Sequence, residues 1–183
     1  MAATVRHNPS PPAGPAGVSP TIPATDPAAG SPPAGLTRHI DRQQGWQVDY
    51  PADQLRPEKL SNGITLFISP DRRTVAAIDS YPGEAGAQGN TGEGLRNRAR
   101  DTTQLIYSSQ VQETGILAAP RPWETGLTFT TGGGSRGEAV YGRRDRSGGP
   151  SRIDGIIIGW LATAEAAQRP MLLALRDSFR AID

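Results

Sequence analysis

Residues 45–81 limit the fold of this chain more than any other stretch, because three short alternating runs are packed into them between turn signals. Trp46, Val48 and Tyr50 alternate with polar residues, and Pro51 closes the run because proline cannot donate to a sheet ladder. Asn62-Gly63 is a tight-turn signal, after which Ile64, Leu66 and Ile68 alternate with Thr65, Phe67 and Ser69. Pro70, Asp71, Arg72 and Arg73 turn the chain again before a third run, residues 75–81. Period-two alternation marks half-buried strands. The expectation is three strands in an antiparallel meander.

The rest of the chain adds to that sheet. Residues 82–91 read as a Gly-rich loop. Leu95, Ala99, Thr102 and Ile106 then share one helical face over residues 92–107, opposite Arg96, Arg100 and Gln104. Strands are expected at residues 111–118 and 123–131, a hairpin tip at Gly132-Gly133-Gly134-Ser135, a return strand at 138–144 and a loop at 145–150. Residues 153–161 are apolar on both faces, with Ile156, Ile158 and Trp160 on one side and Ile157 and Leu161 on the other. Such a strand lies at the centre of a sheet covered on both sides. Pro170 suits the first turn of a closing helix, whose stripe is Leu172, Leu175, Phe179 and Ile182. The pattern is α+β, a largely antiparallel sheet with helices on it.

Residues 1–36 are rich in Pro, Ala and Gly and lack the apolar side chains that would offset the entropy of ordering. They are expected to be a disordered tether for one domain at residues 37–183. With 183 residues and a net charge of +1, no global field argues for nucleic acid. Arginine dominates the cations, Lys59 being the one lysine; with the abundant Ala, Gly and Pro, this suggests a GC-rich bacterial genome. The absence of cysteine excludes disulfides and thiolate chemistry. No apolar run reaches the roughly 20 residues of a membrane span. No signal-peptide core follows Met1. The expected compartment is cytoplasmic if Met1 is the native start, and extracytoplasmic if an export signal was removed.

The aromatic first strand ending in Tyr50-Pro51, the turn Ser69-Pro70-Asp71-Arg72 and the apolar strand and helix closing on Ser178-Phe179 together resemble the PsbP-like and Mog-type domain family. The tryptophan that follows Tyr-Pro in that family is missing here, and Leu55 stands near its position. The resemblance implies an α/β/α sandwich on a largely antiparallel sheet. It also implies a non-enzymatic, chaperone-like or accessory domain that docks on a larger protein complex, with no cofactor and no shared active site. It leaves room for peripheral association with a membrane complex.

A second resemblance is to the opening of pitrilysin-type metallopeptidase domains, carried by residues 60–66 and Pro70-Asp71-Arg72-Arg73. Those enzymes need an H-x-x-E-H zinc helix downstream, and here both histidines, His7 and His39, lie upstream. That resemblance implies an inactive or metal-assisted hydrolase relative. His39 reads as solvated, and no serine has a histidine partner within the domain. Glu113, Glu124, Glu138 and Asp154 fall on strands, where outward-facing charge is the simple expectation and a converging acid/base or calcium pair the alternative. No catalytic or metal-binding residue is assigned. Arg143, Arg144, Arg146 and Arg152 flank one loop and are the candidate partner-binding residues, since arginine pairs bidentately with carboxylates.

Overall fold

The computed structural model describes residues 30–83, 92–108, 110–117, 124–146 and 149–182, together with the backbone of Thr21 and Ile22. In chain order the strands are β1 (Thr21–Ile22), β2 (Thr37–Asp41), β3 (Trp46–Tyr50), β4 (Arg56–Lys59), β5 (Thr65–Ile68) and β6 (Val75–Pro82). Helix α1 (Gly92–Tyr107) precedes β7 (Val111–Leu117), β8 (Glu124–Thr131), β9 (Ser135–Arg146) and β10 (Gly149–Leu161). A short 3-10 turn (Ala162–Ala164) leads into α2 (Glu165–Ser178), and β11 (Arg180–Ala181) ends the described chain.

Among the described residues the large sheet runs β4-β5-β6-β10-β9-β8-β7, and all of these pairings are antiparallel. The run at residues 153–161 is its centre, as its two apolar faces require. Ile156, Ile158 and Trp160 join Phe67, Ala76, Ile78, Leu172, Leu175 and Phe179 in one core. Ile153 and Ile157 face the other way, with Leu95, Ala99, Leu127, Phe129 and Tyr141. The two helices therefore cover opposite faces, α1 over β7 to β9 and α2 over β10 and β6. Burying both faces supplies the main stabilisation, at about 25 cal/mol per Å² of apolar surface.

The expected meander holds for β5 and β6 but not for β3. Trp46, Val48 and Tyr50 sit in a second sheet of order β11-β3-β2, packed beside α2 on the first core. After Pro51 the backbone amides of Gln54 and Leu55 bond back to the Pro51 carbonyl at 3.1 and 2.9 Å, folding a turn. The polar stretch that follows becomes β4 and takes the free edge of β5. Its composition conceals it, for Pro57 and Lys59 are residues that suit a solvated edge. Residues 37–41 form the edge strand β2, and their composition conceals it for the same reason.

Other boundaries shift too. β9 and β10 run through most of the expected loop at 145–150; residues 147 and 148 lie outside the described residues. Helix α2 begins five residues before Pro170, because Ala166, Ala167 and Gln168 are strong helix formers. Pro170 then falls in the second turn on an exposed face, where water can serve the carbonyl it leaves unbonded. The loop expected at 82–91 and the position of Trp123 lie almost wholly outside the described residues. Within the expected tether, Thr21 and Ile22 pair in parallel with Arg143 and Arg144.

Candidate functional site

The arginine end of β9 and β10 is built by strand alternation. Arg143 and Asp145 point to one face of the sheet, where the Arg143 Nε donates to Asp145 Oδ1 at 3.0 Å. Arg144 and Arg146 point to the other, and Arg152, paired with Arg144 in register, joins them. So the structure brings three of the four predicted arginines together and sends Arg143 away.

Arg144 has no exposed side-chain surface and cannot reach a partner, which corrects its assignment to a docking surface. Its Nε donates to Asp154 Oδ2 at 2.8 Å and its Nη2 to Oδ1 at 3.4 Å. The Ser80 hydroxyl donates to Asp154 Oδ1 at 2.5 Å. The remaining Arg144 donors reach the carbonyls of Ile182 and Gln44, both at 3.3 Å. One guanidinium thus joins the central strand, the chain end and the turn before β3. The backbone accommodates it at Gly45, whose φ of +70° is open to glycine and whose missing Cβ would stand 2.8 Å from the Ile182 carbonyl oxygen. Arg152 is half-buried and donates from Nε to Ser80 Oγ at 3.1 Å. Burial pushes its pKa down, Asp154 opposes that, and the like charges of Arg144 and Arg146 add to it.

The β9 edge at this end is also used. β8 pairs with β9 as far as Glu124 opposite Gly142, and β1 continues beyond it, with Thr21 opposite Arg143 and Ile22 opposite Arg144.

No protein-family model matches the sequence, and no curated protein does. The structure is similar to the solution structure of cyanobacterial PsbP (CyanoP) from Synechocystis sp. PCC 6803. The likeness has a TM-score of 0.56 and 12% sequence identity, and it covers 86% of this chain and 98% of that one. The fold is PsbP-like. At that identity the likeness carries the fold alone, and the chemistry has to be read from this chain's own residues.

On the PsbP-like sheet the two predicted carboxylates that are buried, Glu138 and Asp154, do not converge. Glu138 and Asp154 share a face, but Asp154 lies opposite Gly142, four residues along β9 from Glu138, which is roughly 13 Å. Neither faces outward, contrary to the simple expectation: both are buried, each on arginine. Glu138 accepts from Arg169 Nη2 at 2.8 Å and from Arg176 Nη1 at 2.6 Å. Glu113 is the surface residue expected, paired with Arg100 at 2.6 Å, and the Glu124 side chain lies outside the described residues. Among the described residues no group of three or more His, Asp or Glu side chains is placed to hold a metal ion, and no helix is long and apolar enough to cross a membrane.

Sequence reasoning missed further buried carboxylates, Asp41, Asp49 and Asp79. Asp79 Oδ2 accepts from the Tyr141 hydroxyl at 2.9 Å, Arg98 Nε at 3.0 Å and the Thr102 hydroxyl at 3.2 Å. Burial together with the Asp79 charge pushes the Tyr141 hydroxyl well above its ordinary pKa, and burial, opposed by Arg98 and aided by Asp79 and Asp154, takes Tyr81 to about 12. The signal was available, since Asp79 continues the buried alternation of Val75 and Ala77. His39 is half-buried rather than solvated, with its ring stacked 5.4 Å from Trp46 and edge-on to Phe67.

Proposed function

We propose that this chain is a non-enzymatic accessory domain that docks on a larger protein complex, with residues 1–36 as its tether. Arg143, Arg146 and Arg152 would contribute to the docking surface. The observation that carries this reading is the arginine end itself. Arg146 and Arg152 share one face there, with Arg143 on the other, beside a strand edge that takes an extended segment in parallel register. An extended segment supplies main-chain hydrogen bonds to such an edge, and acidic side chains on it would pair with the arginines. The buried carboxylates Asp79, Glu138 and Asp154 support a scaffold rather than a reaction centre, because each is held by arginine, and Asp79 and Asp154 by hydroxyl donors as well. A PsbP-like fold, in a family whose members mostly dock on larger assemblies, agrees with this reading.

The test is affinity purification of the full chain from its native cells, compared with R143S/R146S/R152S, in which the buried Arg144 is kept. The variant's melting temperature is measured first, because Arg152 is half-buried and bonded to Ser80 Oγ. Loss of the captured complex at physiological salt supports docking through this end. Equal capture by the folded triple variant refutes it.

A further inference from the structure

The sheet face that carries α2 is not covered to its edge. α2 packs on β10, β6 and β3, while β8 and β7 continue past it. Between the first turns of α2 and these outer strands lies a cleft of about 400 Å³, within the size range of small-molecule sites. Its floor includes Thr128 and Thr130, and its walls include Arg136, Trp160, Glu165 and Arg169.

Three features of this cleft point to one ligand chemistry. Trp160 is 3% exposed, and its indole Nε1 has no hydrogen-bond partner. That nitrogen is closed to solvent, so Trp160 meets the cleft through its ring rather than its N–H. Arg169 is the second feature. Its guanidinium lies 5.6 Å from the Trp160 ring centroid, it is 44% exposed, and it shares Glu138 with Arg176. Arg176 is 12% exposed and bonds the other Glu138 oxygen at 2.6 Å. Glu138 therefore stays neutralised when Arg169 turns away, and Arg169 is the spare cation of the pair. The third feature is Arg136, which holds Glu165 by a long 3.4 Å contact with both side chains well exposed. Such a pair opens at little cost.

We infer that this cleft binds a small organic carboxylate. Arg169 and Arg136 exchange their resident carboxylates, Glu138 and Glu165, for that of the ligand. The Thr130 hydroxyl supplies a further donor, and the Trp160 ring forms the wall beneath Arg169. Planar guanidinium forks fit carboxylate geometry, and each resident glutamate holds its arginine here by a single contact, at 2.8 Å for Arg169 and 3.4 Å for Arg136. The inference is independent of docking at the arginine end, which lies at the other end of β9.

The chain has three tryptophans, so its indole N–H region holds three nitrogen–proton resonances, and W160F assigns one of them. The probes are citrate, benzoate and inorganic phosphate, titrated into the labelled full chain against sodium chloride at matched ionic strength. Citrate or benzoate should move the Trp160 resonance saturably, with half-saturation at or below about 1 mM, while fully buried Trp46 stays still. R169Q should weaken that response about tenfold or more, as expected for losing a hydrogen bond to a charged group. The melting temperature of R169Q should stay near that of the parent, because Arg176 keeps Glu138. T130V is a second variant that keeps every ion pair and should also weaken the response. No saturable movement, equal movement with chloride, or saturation by phosphate alone would each overturn the proposal.

Discussion

Tyr141 donates a 2.9 Å hydrogen bond to Asp79 although a whole strand lies between them. The residues belong to β9 and β6, and β10 separates them, a span of roughly 10 Å at the usual strand spacing. Gly155 makes the contact. It stands opposite Tyr141 on one side and Asp79 on the other, so the three form a single row across the sheet. A Cβ on Gly155 would meet the Tyr141 ring at 2.2 Å. The ring lies over the glycine, and the hydroxyl arrives at the carboxylate.

G155A should therefore displace the Tyr141 ring and break the Asp79 bond. Overpacking of this kind costs about 1–3 kcal/mol, and the lost bond to a charged group adds to that. Urea unfolding of G155A, Y141A and the double variant measures it. The two substitutions should be strongly coupled, with G155A nearly silent once the ring is gone. Additive effects would mean that the ring does not depend on the glycine.

R144A should cost about 3–5 kcal/mol, because it leaves Asp154 charged, buried and without its cation. It also strips donors from the carbonyls of Gln44 and Ile182, which link the second sheet to the first. R144M/D154L removes both charges and should recover much of the loss. If R144A unfolds at the same urea concentration as the parent, the buried pair is not what joins the sheets.

The elements that were legible in the sequence are those whose apolar residues are periodic. Ile156, Ile158 and Trp160 against Ile157 and Leu161 put β10 at the centre from the sequence, and Leu95, Ala99 and Ile106 placed α1. What stayed hidden is polar. β4 and β2 are edge strands whose exposed faces remove the alternation, and they decide that β3 leaves the main sheet. The arginines were visible as a cluster but not as a burial pattern. Arg144 differs from Arg146 only in facing a buried aspartate ten residues along the chain, and composition does not encode that partner. The cleft needs α2 to stop short of β8, a packing distance that no local spacing records.

Lowering the pH should destabilise the protein in two separate windows. Burial between Trp46 and Phe67 holds the His39 pKa below 6.5; Asp41 raises it and Lys59 lowers it further, with less effect than burial. The unfolded chain then binds more protons than the folded one as pH falls below 6.5, so stability drops there, and above 6.5 His39 contributes nothing. For Asp41, burial raises the pKa, but the Lys59 bond at 2.8 Å and the Gln44 amide outweigh it and hold it below 3.8. Its contribution is present above 3.8 and is lost as pH falls through the folded value. H39F keeps the ring contacts and should flatten the stability profile just below 6.5 while leaving the acid window unchanged. An H39F profile parallel to the parent's across both windows would show that His39 is not the titrating group.

Deleting residues 1–29 should expose one short strand edge and leave the domain folded. β1 is two residues long, and each backbone hydrogen bond it makes with β9 is worth about 0.5–1.5 kcal/mol net. For a chain of this size each kcal/mol lowers the melting temperature by about 2–4 °C, so the expected fall is a few degrees. Hydrogen exchange gives the sharper reading. Amides of β9 around Arg143 and Arg144 should lose protection in the truncated chain. Those at residues 136–142 keep β8 on one side and β10 on the other and should not change. If the arginine end receives a partner's extended segment, the truncated chain should also capture the complex more strongly than the parent, because β1 no longer competes for the edge. A melting temperature lowered by tens of degrees would mean that the N-terminal segment is part of the folded core. Unchanged exchange at Arg143 and Arg144 would mean that β1 does not cover this edge in solution.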